Sequence, residues 1–94
     1  LQAVPPGIDC DEVQSALLEL PNVLEVHDLH IWAVSTTDIA MTAHVVRPHL
    51  ENDDAMLRAA SDLLHAKFDI DHTTIQIERS VNEADCGQAE EGTL

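Results

Sequence analysis

The side chains of this sequence that could do chemistry are its six histidines, its two cysteines and its many carboxylates. Imidazole, carboxylate and thiolate ligands together suit Zn²⁺, Co²⁺, Ni²⁺ or Cd²⁺ better than Mg²⁺ or Ca²⁺. No CxxC, HExxH or Cys-His knuckle is present, so sequence spacing alone does not define a metal site. A site must therefore be assembled by strands and helices that bring distant residues together.

The charge balance favours cations as partners and argues against nucleic acid. Eighteen Asp and Glu residues stand against four Lys and Arg, which gives a formal net charge of −14. Phosphate backbones and anionic membrane surfaces bind basic patches, so this surface repels both. Trp32 and Phe68 are the only aromatic residues, which makes a base-stacking platform improbable. The alternative explanation is an acidic surface that simply keeps a domain soluble.

Two segments have the apolar spacing of helices. Asp9 begins a capping box, and apolar residues at helical intervals follow it until Pro21. These features predict a first helix over 9–20. A second helix is expected to begin with Asn52 or Asp53 as its N-cap. The apolar stripe of that helix comprises Met56, Ala60, Leu63, Leu64 and Phe68.

Three segments have the composition of β-strands: 23–34, 39–47 and 73–79. A short polar turn joins the first two, so they should form an antiparallel hairpin. A helical crossover favours a third strand parallel to the second, and we expect it to lie beside the first, antiparallel to it. The order αββαβ predicts an α+β fold, a ferredoxin-like sandwich with two helices on one face of a three-stranded mixed sheet.

The length of 94 residues fits one domain. We expect it to occupy residues 1–80, and residues 81–94, mostly Asn, Glu, Asp, Gly and Gln, to form a flexible acidic tail. No apolar run approaches the roughly 20 residues that span a bilayer. The sequence begins at Leu1 with neither an initiator Met nor a signal-like segment, so we expect it to be a piece of a longer protein.

Alternation along the strands brings several candidate ligands to one end of one sheet face. If the hairpin turn centres on 36–37, His27 and His44 are diagonal neighbours at cross-strand distances of about 7–8 Å. An antiparallel third strand would place Glu78 beside His27. Cys86 follows Glu78 by eight residues and could fold back to the same end. These four residues are the predicted metal cluster.

The remaining histidines are expected to lie elsewhere. His72 precedes Glu78 by six residues, about 20 Å along a strand, and should lie at the opposite end of the sheet. His30 has the predicted orientation of a hydrogen-bonded core histidine. His65 is expected on the solvated side of the second helix. The sequence thus predicts one cluster that contains two of the six histidines, with the other histidines apart from it.

Both faces of the predicted hairpin carry apolar residues. With this register, Val26 and Trp32 face the helices together with Met41, whereas Leu29 and Ile31 lie on the opposite face. The two helices can cover only one face. A second copy of the domain is the natural cover for the other, which predicts a homodimer.

Catalysis finds little support in the sequence. Nothing brings Cys10 to a histidine and an orienting group. Acylphosphatases share this fold class but need a basic phosphate-binding loop, and heavy-metal chaperones share it but need a Cys pair. Neither feature is present, so we expect a binding domain and not an enzyme.

Three segments resemble a known family: 26–32 (VHDLHIW), 42–46 (TAHVV) and 72–78 (HTTIQIE). They resemble the cytoplasmic C-terminal domain of the cation diffusion facilitator transporters, in particular the bacterial cobalt–zinc–cadmium resistance exporters. The resemblance covers residues 1–80 almost without a gap. It implies an αββαβ domain, soluble as a fragment, that dimerises beneath the transmembrane domain of the same polypeptide on the cytoplasmic face of the membrane.

The resemblance also implies site residues and an ion. Family sites for Zn²⁺ or similar ions use histidines at the positions of His27 and His44 and an acidic residue at that of Glu78. Some members add cysteines near Cys86, and some use a histidine like His72 at a contact with the membrane domain. The implied ion is Zn²⁺, with Cd²⁺, Co²⁺ and Ni²⁺ as alternatives.

Two positions depart from parts of that family. Asp54 and Gln76 stand where some members carry histidines, so the ligand set of one relative cannot be transferred whole. The resulting hypothesis is a metal-binding dimerisation domain that regulates export through metal-dependent dimer compaction. The alternative is a constitutive dimerisation scaffold with no metal-sensing role.

Overall fold

A computed structural model describes residues 4–49 and 52–80 of the chain. It contains two helices and three strands, which are α1 (Cys10–Leu18), β1 (Glu25–Ala33), β2 (Ile39–Val46), α2 (Asp53–Phe68) and β3 (His72–Glu78). The predicted order αββαβ and the α+β fold class are therefore confirmed. The predicted tail, 81–94, lies outside the described residues. Within the two described ranges, no helix is long and apolar enough to cross a membrane.

Helix α1 begins where its capping residue allows. The Asp9 carboxylate accepts a hydrogen bond from the backbone N–H of Asp11 at 2.8 Å, which satisfies one of the free donors of the first turn. Val13, Ala16 and Leu17 follow at helical spacing and are buried. The helix ends at Leu18, two residues before the predicted end.

Helix α2 has left-handed residues at both ends. Asn52 is the N-cap, with φ 46°, and Asp69 is the C-cap, with φ 61°. Asn and Asp tolerate this conformation better than most residues. The C-cap N–H donates to the carbonyl of His65 at 3.0 Å and closes the last turn. The predicted apolar stripe is confirmed at Met56, Ala60 and Leu64, which are buried, and its remaining members are half-buried.

The strand order is β1-β2-β3, with β2 in the centre. Strand β1 is antiparallel to β2, and β3 is parallel to it. The predicted parallel relation of β2 and β3 is confirmed, but the prediction that β3 lies beside β1 is wrong. Because β1 occupies only one edge of β2, the crossover through α2 returns the chain directly to the other edge. Central placement also buries the most apolar strand, of which five residues out of eight are buried.

A β-bulge interrupts the pairing of β1 with β2. His27 pairs with His44, but His30 pairs with Thr42, so two residues of β1 face one residue of β2 between these points. Asp28 lies in the bulge with φ 53°, in the left-handed region. The predicted register is wrong, because the turn holds five residues, 34–38, and because the bulge adds one more residue to β1.

The bulge changes which residues face the helices. Ile31 pairs with Met41 and is only 3% exposed, so it belongs to the core and not to the outer face as predicted. Trp32 pairs with Ala40 on the outer face, opposite to the prediction. Leu29, also predicted on the outer face, packs against the core from within the bulge. Because of this one inserted residue, odd-numbered residues of β1 point to the outer face before the bulge and to the core after it.

The core lies between the helices and the inner face of the sheet. It is formed by residues of both helices, of all three strands and of the segments beside them: Val13, Leu17, Met56, Ala60, Leu64, Val23, Val26, Ile31, Met41, Ala43, Val45 and Ile70, with Ile75 and Ile77 packed against them. The outer face carries half-buried Trp32 and Thr42 and exposed Thr74 and Gln76. The described elements leave that face without a covering layer.

Replacing Ile31 tests the bulge. We expect Ile31→Ala to lower the free energy of unfolding by about 2–5 kcal/mol, because it empties a buried position beside Met41. Thr74→Ala, on the outer face of β3, should cost less than about 1 kcal/mol. Urea denaturation monitored by circular dichroism gives both values. Equal costs for the two variants would contradict the inward position of Ile31.

Candidate metal centre

Three strands bring His27, His44 and Glu78 together at one end of the outer sheet face. Glu78 is the last residue of β3, and its carboxylate lies beside both histidines. Its Oε1 is 2.9 Å from Nε2 of His27, and its Oε2 is 2.6 Å from Nδ1 of His44. All three residues are half-buried. We call these residues the His–His–Glu cluster.

The strand order explains how this cluster forms. His27 lies directly opposite His44, with ring centroids 5.1 Å apart, and not diagonal to it as predicted. Glu78 comes from the other edge of the sheet and reaches both rings across β2. The prediction thus named three residues that do meet, but it derived their proximity from the wrong strand pairing.

The bulge at Asp28 decides the orientation of His27. In a regular strand, residues 27 and 31 would point to the same face. Ile31 points to the core, so His27 would be directed inward as well. The extra residue reverses the alternation, and His27 joins His44 on the outer face. Asp suits this position because its short polar side chain tolerates a positive φ.

Asp28 also contributes its carboxylate to the surroundings of the cluster. Its Oδ2 lies 3.3 Å from Nδ1 of His27 and 3.9 Å from Nδ1 of His44. The His27 ring therefore has one carboxylate near each nitrogen, Asp28 on Nδ1 and Glu78 on Nε2. An ionised carboxylate accepts hydrogen bonds only, so this arrangement favours protons on both ring nitrogens when no metal is bound.

These contacts shift two titrations in opposite directions. Partial burial by itself would lower the pKa of His27, but the hydrogen bond and charge of Glu78 and the charge of Asp28 outweigh it and raise the pKa above its ordinary value. Burial by itself would raise the pKa of Glu78, but the hydrogen bonds from His27 and His44 lower it. The metal-free cluster is therefore a charged, hydrogen-bonded unit.

The geometry of the cluster fits a small divalent cation. One ligand atom from each residue lies within 4.8 Å of the other two. Tetrahedral Zn²⁺ with bonds of about 2.0–2.1 Å separates its ligand atoms by about 3.3 Å, a spacing below the 4.8 Å within which these three atoms lie. A hydrogen bond from Nδ1 of His27 to the Asp28 carboxylate would leave Nε2 free for the ion. Metal-bound histidines commonly donate their other ring N–H to a carboxylate in this way. The three ligands found among the described residues would leave a fourth position of a tetrahedral ion for another ligand.

Two further residues, His72 and Cys86, were predicted as metal ligands. His72 is exposed and pairs with Ala40 at the start of β3, so its predicted position at the opposite end of the sheet from Glu78 is confirmed. Cys86 lies outside the described residues. His30 was predicted to be a core residue and is instead exposed on the outer face, because it follows the bulge.

A second group of potential ligands escaped the sequence interpretation. His65, Asp69 and Asp71 offer three ligand atoms within 4.8 Å of one another at the end of α2. All three residues are exposed. Asp71 already accepts a hydrogen bond from the backbone N–H of Ile39 at 3.0 Å. The spacing i, i+4, i+6 could have indicated the group, and the left-handed residue Asp69 lies at the turn between its first and last members.

The sequence matches a known domain family. The family described as the cytoplasmic domain of the cation efflux proteins matches residues 5–80. The chain therefore belongs to that family, and the predicted resemblance to the cation diffusion facilitators is confirmed.

Individual relatives are transport proteins by name. The metal cation efflux system protein CzcD of Cupriavidus metallidurans is 40% identical over 91 residues, which are 96% of this chain and 28% of CzcD. The vacuolar zinc transporter TgZnT of Toxoplasma gondii is 42% identical over 89 residues, 92% of this chain and 10% of that protein. The chain thus spans about a tenth to just over a quarter of the length of these relatives.

Two solved structures share the architecture. The metal-bound C-terminal domain of the CzcD transporter has a TM-score of 0.66 at 40% identity, over 76% of this chain and 99% of that one. The zinc form of the putative zinc transporter CzrB has a TM-score of 0.68 over 94% of this chain and all of that one. At 18% identity, CzrB shows the fold alone.

The charge state of His27 can be measured in the metal-free protein. We expect its pKa above about 6.5 and a lower value in Glu78→Gln, because the variant removes the carboxylate on Nε2. Because the pKa of His27 is raised in the folded state, protonation of His27 stabilises the fold. This stabilisation is fully present below about pH 6.5, the ordinary pKa of histidine, and disappears as the pH rises through the raised value. NMR titration of the imidazole in the presence of a chelator measures the shift. Glu12→Gln, at an exposed position of α1, should leave the pKa of His27 unchanged. A pKa of His27 in Glu78→Gln equal to that in the wild type would contradict the assignment.

Proposed function

We propose that the domain binds Zn²⁺, or Cd²⁺, Co²⁺ or Ni²⁺ in its place, at His27, His44 and Glu78. The observation that carries this proposal is the convergence of two imidazoles and one carboxylate from three strands within 4.8 Å. Nitrogen and oxygen ligands of this kind suit these ions. The metal-bound state of the CzcD C-terminal domain, 40% identical to this chain, supports the proposal.

Each residue of the cluster has a separate part in binding. On binding, His27 would lose the proton on Nε2 and His44 the proton on Nδ1. Glu78 would then contact the ion in place of its two hydrogen bonds to these histidines. Asp28 would hold the remaining proton of His27 on Nδ1. Binding is therefore linked to proton release, and affinity should rise with pH through the raised pKa of His27.

Two further ligands belong to the proposal. Cys86 would take the open fourth position of the His–His–Glu cluster, since a thiolate is a good ligand for all four ions. His72 would serve a separate contact at the far end of β3, on the side of the transmembrane domain. These two roles follow from the family resemblance and from the remote position of His72.

We infer that binding regulates export by a transporter of which this domain is the cytoplasmic part. The outer sheet face, with half-buried Trp32 and Thr42, would meet a second copy of the domain. Two chains of charge −14 repel each other. Cations bound on that face reduce the repulsion and favour a compact dimer over an open one. The domain would act through binding, without catalysis.

Calorimetry tests the cluster. We expect His44→Ala to lose most of the measurable Zn²⁺ binding, because it removes one of the two imidazole ligands of the cluster. The matched control is His30→Ala, an exposed histidine on the same sheet face, which should bind as the wild type does. Unchanged affinity in His44→Ala would refute the site.

Solution scattering tests the regulatory proposal. Saturating Zn²⁺ should decrease the radius of gyration of the dimer and leave its mass unchanged, and His44→Ala should abolish the decrease. Coincident profiles with and without Zn²⁺ would refute compaction.

Thermal unfolding addresses the alternative of a constitutive scaffold. At a free Zn²⁺ concentration 100 times Kd, binding to the folded state adds about 2.7 kcal/mol of stability, which raises the Tm of a metal-binding domain. Equal melting temperatures with and without Zn²⁺ would favour the scaffold.

A further inference from the structure

Arg47 lies immediately after β2 and is the one charged side chain that is buried among the described residues, with 3% exposure. Its Nε donates to the carbonyl of Pro21 at 3.1 Å, and its Nη1 donates to Asp53 at 2.6 Å. Pro21 precedes β1, and Asp53 is the first residue of α2. A buried guanidinium needs such partners, since an unpaired charge would be costly there.

Arg79 completes the same arrangement from the end of β3. Its Nη1 donates to the carbonyl oxygens of Arg47 and His49 at 2.9 and 3.0 Å. Its Nη2 donates to the second carboxylate oxygen of Asp53 at 2.5 Å. The hydrogen bond from Arg79, together with Arg47, lowers the pKa of the Asp53 carboxyl below its ordinary value. We call Arg47, Asp53 and Arg79 the arginine clamp.

The arginine clamp adjoins the His–His–Glu cluster through the backbone. Arg79 follows Glu78 in the chain, and the N–H of Arg47 donates to the carbonyl oxygen of Glu78 at 2.7 Å. The clamp therefore holds the backbone of the residue that presents the carboxylate to His27 and His44. It also joins the entry to β1, the end of β2 and the end of β3, the three strands that carry the ligands.

Glu78 needs this support because of its place in the sheet. Strand β3 is an edge strand, and Glu78 is its last residue. Ends of edge strands open at low free-energy cost unless they are anchored. An opened strand end would move the Glu78 carboxylate away from both imidazoles. Residues behind the ligands of a metal site commonly set its affinity in this way.

We propose that the arginine clamp positions Glu78 for the divalent cation, so that Arg47, Asp53 and Arg79 are positioning residues of the metal site. This inference rests on the proposed function. It also extends that function to α2, because Asp53 of the clamp is the first residue of that helix. Binding linkage is reciprocal, so an ion held by Glu78 stabilises the clamp and with it the first turn of α2.

Asp53→Asn tests the clamp at two levels. In the metal-free protein, the amide hydrogen of Arg47 should exchange at least about 10-fold faster, because its acceptor on Glu78 becomes mobile. In calorimetry, Zn²⁺ affinity should fall about 10-fold or more. Asp62→Asn removes the same charge from an exposed position of α2 and should change neither value.

A double-mutant cycle separates positioning from general destabilisation. The loss of Zn²⁺ affinity caused by Asp53→Asn should shrink below about 3-fold in the Glu78→Gln background, because the clamp acts through that carboxylate. An equal loss in both backgrounds would overturn the proposal, as would wild-type affinity in a folded Asp53→Asn protein. If Asp53→Asn does not fold, Arg79→Lys keeps the charge, loses the forked donor geometry and should give the same two effects.

The two proposals fail in different ways. Absence of Zn²⁺ binding by the wild type, or wild-type affinity in both His44→Ala and Glu78→Gln, would refute the metal site itself. Fast Arg47 exchange in Asp53→Asn would then still show that the clamp anchors the end of β3. Normal Zn²⁺ binding at the cluster combined with unchanged exchange and affinity in Asp53→Asn would refute the clamp alone.

Discussion

The reversal of alternation at Asp28 is the constraint on which the rest of this structure depends. Strand β1 must bury Val26 and Ile31 against the helices and still present His27 on the opposite face. Regular alternation cannot do so, because residues 27 and 31 have the same parity. One residue with φ 53° resolves the conflict, at the modest cost of a left-handed aspartate. The same residue then supplies a carboxylate to the ring that it has redirected.

A second constraint is the concentration of polar side chains at one end of the sheet. On the outer face the His–His–Glu cluster pairs two imidazoles with one carboxylate, and behind it the arginine clamp pairs two guanidiniums with one carboxylate. The two arrangements share the backbone of Glu78 and Arg79. The chain has only four Lys and Arg, and two of them lie here, so this end of an otherwise acidic domain is internally compensated.

Much of the fold could be predicted because it depends on local patterns. The cap at Asp9, the stripe of Met56, Ala60 and Leu64 and the three apolar runs each result from neighbouring residues and a fixed period. The strand order and register could not be predicted in this way. The strand order depends on which edge of β2 the crossover through α2 reaches. The register depends on a five-residue turn and on an inserted residue, and a shift of one position exchanges Ile31 with Trp32.

The sequence by itself determined the local elements of this acidic αββαβ domain and the residue types of His27, His44 and Glu78, whose imidazole and carboxylate groups suit a divalent cation. Only the tertiary structure decided how they meet. Glu78 reaches the two histidines from the β3 edge of β2, and the bulge places His27 on the same face as His44. The physical reason is that helix and strand periods are local properties, whereas strand partners and bulges result from competition among all elements for one shared core.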